Sequence, residues 1–279
     1  MSIYEEHHEK LKEILRAYAK NDVMVAFSGG VDSSLILKLT CEAARETGKK
    51  VYAVMLHTML HPSGEVIEAR KTAEEMGAIF LVLQVDELEN AGIEENPVNR
   101  CYLCKKYLFQ KLQEKAQELQ VTEVLEGTNE DDMYVYRPGI AAVRELGIRS
   151  PLLEAGLTKR EVRALAGKYQ MEVSTKPSTP CLATRFPYGT ALTYEAMRRV
   201  EHGEEFLKTL GFYNVRLRVH GDIARIETDK EAFGRLLEQR EEIIAVLKKL
   251  GYQYITIDLE GFRSGSMDDQ ISEKEGRRT

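Results

Sequence analysis

Residues 28–34 read SGGVDSS and are the stretch of this sequence best suited to bind an anion. A short apolar run at 23–27 precedes them, and a helical pattern follows. Glycines bring the backbone N–H groups close to a bound anion, and the start of a helix adds partial positive charge. Serine hydroxyls supply further donors. The stretch predicts a phosphate-binding loop whose binding residues are Ser28, Gly29, Gly30, Asp32, Ser33 and Ser34.

The same loop resembles the SGGxDS pyrophosphate loop of the PP-loop ATPases, which cleave ATP to AMP and pyrophosphate. It is not a Walker A loop, because no Gly-Lys-Ser/Thr follows. The resemblance implies that ATP is used and that Asp32 helps to hold Mg²⁺ and the phosphates. The alternative is an ordinary strand-to-helix turn that needs glycine. The strand and helix patterns on either side favour the phosphate site.

Three of the four cysteines form a second group with potential for chemistry. Cys101 and Cys104 make a CxxC pair at the start of a predicted helix, where the helix dipole favours thiolates. Cys181 lies in the sequence TPCLATRFPYG, in a segment that leaves the first predicted domain. We expect it near the carboxyl edge of the sheet, beside the CxxC pair. Cys41, inside the helix after the phosphate loop, is expected to be a small core residue.

These cysteines allow three interpretations. A redox CxxC pair needs a thioredoxin-like neighbourhood, which the sequence lacks. A structural zinc ion needs four ligands, so a distant His or carboxylate would have to complete the site. A 4Fe–4S cluster held by Cys101, Cys104 and Cys181 would leave one iron open for a sulfide. Cys181 favours the cluster over zinc, and zinc over inert thiols, although the spacing alone does not decide.

The pattern along the chain predicts an α/β fold in which helices alternate with strands. Strands are predicted at 23–27, 51–57, 79–85 and 121–126. This order is typical of a parallel sheet whose ligand site lies at the carboxyl ends of the strands.

A change of pattern after this sheet predicts a second domain. Residues 175–189 contain three prolines and little periodicity, and an αββαβ pattern follows them. That pattern predicts a small α+β domain with an antiparallel sheet. We therefore expect a PP-loop and sulfur-transfer domain at 1–185 and a substrate-binding or oligomerisation domain at 186–279.

Composition limits the classes of function. The net charge of −6 argues against a nucleic-acid partner held by phosphate neutralisation. No apolar run of about 18 residues predicts a membrane span, and the first residues are too polar for a signal peptide. Four cysteines without a secretory signal indicate a reducing compartment. The expectation is a cytoplasmic enzyme with no membrane partner.

Further motifs resemble one branch of the PP-loop enzymes, the LarE family. They extend over nearly the whole chain, and they are YRPG at 136–139, PLLEAGLTKREVRALA at 151–166, TRFPYG at 184–189, VRLRVHGDIARIE at 215–227 and GFRSG at 261–265. The resemblance implies an ATP pyrophosphatase domain of the adenine nucleotide α-hydrolase type and a homo-oligomer. LarE proteins are ATP-dependent sulfurtransferases of nickel-pincer nucleotide biosynthesis, which supplies the cofactor of lactate racemase. Their substrate is pyridinium-3,5-biscarboxylic acid mononucleotide, whose carboxylates become thiocarboxylates.

The LarE family contains two chemistries. One member type sacrifices the sulfur of a single cysteine, which here would be Cys181. The other type carries a 4Fe–4S cluster on three cysteines and receives sulfur from sulfide or another donor. The presence of Cys101 and Cys104 beside Cys181 resembles the second type.

The resemblance also implies a site for the anionic nucleotide substrate in the second domain. Arg216 and Arg218 alternate on one face of a predicted strand, a geometry that suits a phosphate or carboxylate. Glu204 could pair with them or bind a metal, and Arg185 and Arg263 are further candidates. The alternative is an exposed antiparallel face whose arginines pair with nearby acids.

One acidic turn remains ambiguous. Asn129, Asp131 and Asp132 follow the strand that is predicted to end at 126, so they could line the ATP site. A solvated turn explains them equally well.

Three rival functions stay open. A tRNA thiolation enzyme also joins a PP-loop to a three-cysteine cluster, but the acidic balance and the C-terminal motifs argue against it. An ammonia-using ATP pyrophosphatase with structural zinc is the second, and a nucleotide-binding regulator without catalysis is the third.

Overall fold

The computed structural model describes residues 3–60, 66–135, 137–174 and 180–263. The chain divides into two compact units. Among the described residues, unit 1 comprises 3–58, 66–93 and 99–174, and unit 2 comprises 59–60, 94–98 and 180–263. The expected domain limits, 1–185 and 186–279, stay a prediction. Tyr136 of the YRPG motif, Ser264 and Gly265 of the GFRSG motif, and 175–179 of the proline-containing segment lie outside the described residues.

Unit 1 contains a four-stranded parallel sheet, as the alternating pattern predicts. The strand order is β3-β2-β1-β4, so the strand before the phosphate loop is central. The strands are β1 Val23–Ala26, β2 Val51–His57, β3 Ile79–Gln84 and β4 Glu123–Leu125. The helices are α1 Ile3–Tyr18, α2 Val31–Thr47, α3 Val66–Met76, α4 Arg100–Glu118, α5 Gly139–Glu145, α6 Pro151–Ala155 and α7 Lys159–Lys168.

Helices cover both faces of this sheet because its strands are apolar on both sides. Val25 of β1 packs into one core with α1, α2 and α7, whereas its neighbour Met24 packs into another with α4 and α5. Successive side chains of a strand point to opposite faces, which places these two neighbours in different cores. The arrangement confirms the predicted α/β fold, with the carboxyl ends of all four strands at one edge.

Unit 2 has the predicted αββαβ order, with two further helices where one long helix is expected at 230–250. Its elements are α8 Tyr194–Thr209, β5 Arg216–His220, β6 Ile223–Glu227, α9 Phe233–Glu238, α10 Arg240–Lys249 and β7 Tyr254–Ile257.

The predicted antiparallel sheet of unit 2 is wrong in one of its two pairings. Strand β6 is antiparallel to β5 but parallel to β7. The β5–β6 connection is a tight hairpin, whereas α9 and α10 lie between β6 and β7. A helical crossover of that length brings the chain back to the starting edge of the sheet, so a parallel pairing follows.

No helix among the described residues is both long and apolar enough to cross a membrane.

Candidate active site

The phosphate loop of unit 1 lies between β1 and α2, where the sequence predicts it. Gly29 has a φ of +70°, a backbone conformation that favours glycine. The hydroxyls of Ser28 and Ser33 lie 3.2 Å apart, and Ser33 donates to the Gly30 carbonyl at 3.1 Å. No side chain caps α2 at Gly30, so the first N–H groups of this helix remain available to a ligand.

A buried hydroxyl in this loop supports the fit to a phosphate. The Ser34 side chain is fully buried, and its oxygen has no hydrogen-bond partner among the described residues. A buried polar group without a partner costs free energy, which a bound anion could recover. The backbone donors, the serine hydroxyls and the helix start together match the requirements of an ATP phosphate chain.

Asp32 lies on the first turn of α2 and has two polar partners in unit 1. The Asn129 side chain donates to one carboxylate oxygen at 3.2 Å, and the Lys159 ammonium pairs with the other. Asp131 in turn accepts a hydrogen bond from the Lys159 backbone N–H at 2.8 Å. Of the two interpretations of the acidic turn, the structure therefore favours the one that places Asn129 and Asp131 beside the loop.

A close approach of two backbones holds Asp32 against the end of β4. A Cβ on Gly127 would lie 3.0 Å from the Asp32 Cβ and 3.3 Å from the Ser33 nitrogen. Such a separation leaves no room for a side chain at Gly127 without a shift. The carboxyl end of β4 is thus packed tightly onto the phosphate loop.

The residue before Gly127 links this edge of the sheet to the CxxC helix. Glu126 is buried, pairs with Lys105 of α4 at 3.1 Å and accepts hydrogen bonds from Thr128 and Ser150. Burial raises the pKa of the Glu126 carboxyl, but the Lys105 charge and these hydrogen bonds outweigh it and hold the pKa below its ordinary value. Glu126 is therefore an ionised buried group beside the loop.

Cys101 and Cys104 lie on the first turn of α4, at the start of a helix as predicted. Cys101 is exposed and Cys104 is half-buried, and a Cβ on Gly139 of the YRPG motif would lie 3.4 Å from the Cys101 carbonyl. Positions three apart on a helix share one face, so the two sulfurs suit a common ligand.

The other two cysteines lie elsewhere. Cys181 is half-buried and belongs to unit 2. Burial raises the pKa of the Cys41 thiol to about 11, which suits the predicted core role. Among the described residues, no group of three or more His, Cys, Asp or Glu side chains has the spacing of a metal site.

Unit 2 contains a cluster of buried ion pairs. Arg185 forms a two-point pair with Glu204, at 2.9 and 2.8 Å, and these side chains are 2% and 4% exposed. Arg218 pairs with Glu227 at 2.9 Å, and those side chains are equally buried. Glu204 therefore does find an arginine partner, and that partner is Arg185 of the TRFPYG motif.

Arg216 differs from its two neighbours. It is half-buried, and no carboxylate of the described residues lies within ion-pair distance of its guanidinium. Burial lowers the pKa of Arg216, and the positive charges of Arg185 and Arg218 lower it further. A cation in this environment is stabilised by an anionic ligand.

The C-terminal motif supports Arg216 from below. Gly261 has a φ of +74°, and a Cβ there would lie 2.9 Å from the Thr228 carbonyl. The glycine lets the chain pass this carbonyl, so the Phe262 ring lies 5.3 Å from the Arg216 guanidinium. Arg263 is exposed and pairs with Glu260 at 2.7 Å.

The fold and the loop define a PP-loop protein, and a family model described as a PP-loop domain matches residues 3–135. A glutamine-hydrolysing GMP synthase from Halobacterium salinarum contributes a relative that is 29% identical over 118 residues, which cover 42% of this chain and 37% of that protein. This match covers less than half of either chain, so it supports the class of domain and no more.

Two other relatives match nearly the full length. The pyridinium-3,5-bisthiocarboxylic acid mononucleotide synthase of Lactiplantibacillus plantarum is 38% identical over 250 residues, which cover 90% of each chain. An uncharacterised protein of Synechocystis is 36% identical over 262 residues, 93% of this chain and 97% of its own. The chain belongs to the family of the Lactiplantibacillus synthase, the LarE family.

Sequence reasoning missed several residues that complete the loop of unit 1. Lys159, Gly127, Glu126 and Lys105 gave no signal as ligands, because each acts through a partner far away in sequence. One local signal was present for Lys159. It follows Thr158, which forms a capping box with Glu161 and therefore fixes Lys159 as the first residue of α7.

Proposed function

We propose that this protein is an ATP-dependent sulfurtransferase that converts the carboxylates of pyridinium-3,5-biscarboxylic acid mononucleotide to thiocarboxylates. The proposal follows the function for which the Lactiplantibacillus relative is named and the motifs shared with the LarE family. The observation that carries it is the phosphate loop of unit 1, where backbone donors, Asp32 and Lys159 meet at the carboxyl end of the parallel sheet.

The first half-reaction is adenylation of a substrate carboxylate. A carboxylate oxygen attacks the α-phosphorus of ATP, the bond to the β-phosphate breaks, and pyrophosphate leaves. The backbone N–H groups of 28–34 would hold the β- and γ-phosphates and stabilise the charge that develops on them. In this role the loop needs no acid or base, only donors fixed in position.

Asp32 and Lys159 have complementary tasks in this step. Mg²⁺ is commonly bound by one or two carboxylates together with substrate phosphates, and Asp32 is the carboxylate on the loop. Without a ligand, Lys159 neutralises Asp32. When Asp32 turns to Mg²⁺, the ammonium of Lys159 becomes free to contact a phosphate oxygen. Asn129 keeps the carboxylate oriented through its hydrogen bond.

The second half-reaction transfers sulfur to the adenylate. A sulfur nucleophile attacks the acyl carbon, the C–S bond forms, and the C–O bond to AMP breaks. Cys101, Cys104 and Cys181 would hold a 4Fe–4S cluster, and a cluster with three protein ligands leaves one iron to bind an exogenous sulfide. The donor set suits this group, because these three thiols are partly exposed, whereas Cys41 is buried.

Arg216 is the residue of unit 2 best suited to contact the phosphate of the substrate. It is half-buried, it has no carboxylate partner among the described residues, and two further arginines lie beside it. Arg218 and Arg263 remain secondary candidates because each already has a carboxylate partner.

The reaction is tested with purified protein, ATP, Mg²⁺, the dicarboxylate mononucleotide and sulfide under anaerobic conditions. We expect AMP, pyrophosphate and a thiocarboxylate product identified by mass spectrometry. Replacing sulfide with ammonia should give no amide. An amide product, or AMP release without sulfur incorporation, would support the ammonia-using alternative instead.

The cluster is tested by reconstitution with iron and sulfide, followed by iron counting and electron paramagnetic resonance. About four irons per chain are expected in the wild type, with loss in Cys101→Ala, Cys104→Ala and Cys181→Ala. Cys41→Ala is the matched control, since its thiol is buried with a raised pKa. Tightly bound zinc with no cluster would contradict the proposal.

A further inference from the structure

The buried pair of Arg185 and Glu204 in unit 2 has a structure that a substrate contact would not need. Both ends of the guanidinium fork meet the carboxylate, and both side chains are almost fully enclosed. Removing two charges from water is costly, so such a pair persists only when further hydrogen bonds satisfy it. The partners that satisfy it indicate what the pair holds in place.

The remaining nitrogen of Arg185 holds the backbone around Cys181. Nη1 donates to the carbonyls of Pro180 at 2.9 Å and Cys181 at 3.1 Å. The Cys181 carbonyl also accepts the Thr184 hydroxyl at 2.7 Å and the Thr184 N–H at 3.0 Å. The position of the Cys181 backbone therefore depends directly on Arg185.

The carboxylate of Glu204 connects this segment to the strand that carries Arg216. Besides Arg185, it accepts the backbone N–H of Leu217 at 2.9 Å. Leu217 lies between Arg216 and Arg218 on β5, and Arg218 donates to the Thr184 carbonyl at 2.6 Å. One buried carboxylate thus joins the backbone of β5 to the segment that contains Cys181.

We propose that Arg185 and Glu204 are positioning residues, which fix the Cys181 thiol relative to the strand of Arg216, rather than residues that contact the substrate. This differs from the sequence-based prediction, which assigned both to substrate binding. The importance of Cys181 for sulfur transfer rests on the proposed function. The positioning itself rests only on the hydrogen bonds of unit 2.

The test measures the reactivity of each cysteine in the full-length protein without a cluster. Glu204→Gln is treated with iodoacetamide under anaerobic reducing conditions, and each alkylated peptide is followed by mass spectrometry. We expect the alkylation rate of Cys181 to rise roughly tenfold, because its segment opens more often when a charge-assisted partner is lost. Cys101 and Cys104 belong to unit 1 and should keep their rates.

Two further variants sharpen this measurement. Glu241→Gln makes the same chemical change at an exposed ion pair of unit 2 and should leave the Cys181 rate unchanged. Arg185→Lys keeps the positive charge but loses the fork that reaches Glu204 and two carbonyls together, so the Cys181 rate should rise here too. Arg185→Lys decides the matter if Glu204→Gln does not fold.

Steady-state kinetics separates positioning from contact. A positioning role predicts that kcat falls while the KM for the mononucleotide changes less than about twofold. A raised KM with an unchanged Cys181 alkylation rate would overturn the proposal, as would an equal rise at all three cysteines. If the wild type transfers no sulfur, the alkylation result still stands, and only the proposed function fails.

Discussion

The two units of this protein each contain a charged site, but they are built differently. In unit 1, Asp32 and Lys159 form a pair whose side chains are 20% and 35% exposed, beside a loop of free backbone donors. In unit 2, Arg185 and Glu204 are almost fully buried, and so are Arg218 and Glu227. A partly solvated pair can exchange partners when a ligand arrives, whereas a buried pair cannot without leaving a charge unpaired.

This contrast assigns different roles to similar residues. The charged groups of unit 1 are arranged to meet a ligand, and most of those in unit 2 hold the fold of the site. Arg216 is the exception in unit 2, since no carboxylate of the described residues pairs with it. Mutations can therefore separate contact from support within one protein.

The largest effect is expected for Asp32→Asn in unit 1. An amide cannot supply the negative charge that holds Mg²⁺, so pyrophosphate release should fall by about 10²- to 10³-fold. A coupled assay for pyrophosphate measures it. Asp22→Asn is the control, because Asp22 is a solvated residue that accepts a backbone hydrogen bond from Lys50. Wild-type release from Asp32→Asn would remove Asp32 from the metal role.

A stability loss is expected for Glu126→Gln, the buried carboxylate beside the loop. The substitution leaves the Lys105 ammonium without its charged partner, so the free energy of unfolding should fall by about 2–3 kcal/mol. Urea unfolding at neutral pH measures it. Glu114→Gln removes an exposed pair with Lys111 and should change stability by less than about 1 kcal/mol.

The same variant gives a pH test. The pKa of Glu126 is lowered in the folded protein, so its contribution to stability is present above the ordinary carboxyl value near 4.5 and is lost as the pH falls below it. Wild type should therefore lose more stability than Glu126→Gln between pH 6 and about pH 4. Parallel acid sensitivity of both proteins would show that Glu126 carries no such linkage.

A selective binding loss is expected for Arg216→Ala in unit 2. The Kd for the mononucleotide should rise by about 10- to 100-fold, as for the loss of a charge-assisted contact, and the Kd for ATP should stay unchanged. Isothermal titration with each ligand measures both. Arg240→Ala, at an exposed position of the same unit, should change neither affinity. Equal weakening of ATP binding would mean that the substitution disturbs the fold.

The smallest effect is expected for Gly127→Ala. The new methyl group meets the Asp32 side chain and the Ser33 nitrogen, so a local shift costing about 1–2 kcal/mol should weaken ATP binding. Gly167→Ala, in a helix with open space around it, is the control and should be neutral or slightly stabilising. Unchanged ATP affinity in Gly127→Ala would show that this close approach does not shape the loop.

Much of unit 1 could be predicted because its signals are local. The phosphate loop is one short segment whose glycines, serines and flanking elements are all visible in the sequence. The CxxC pair likewise lies at the predicted start of a helix. Apolar runs separated by helical patterns were sufficient to predict the parallel sheet, since each strand is buried on both faces.

The sequence by itself therefore determined the class of fold, the phosphate loop and the cysteines able to bind a metal. Only the tertiary structure decided which charged residues have partners. Lys159 meets Asp32 across more than a hundred residues, and Arg185 meets Glu204 instead of being left for a ligand. Ion pairs form between side chains that the fold brings together, and spacing along the chain carries no record of that distance. The same reason explains why Arg216, and not its neighbour Arg218, is left without a carboxylate partner among the described residues.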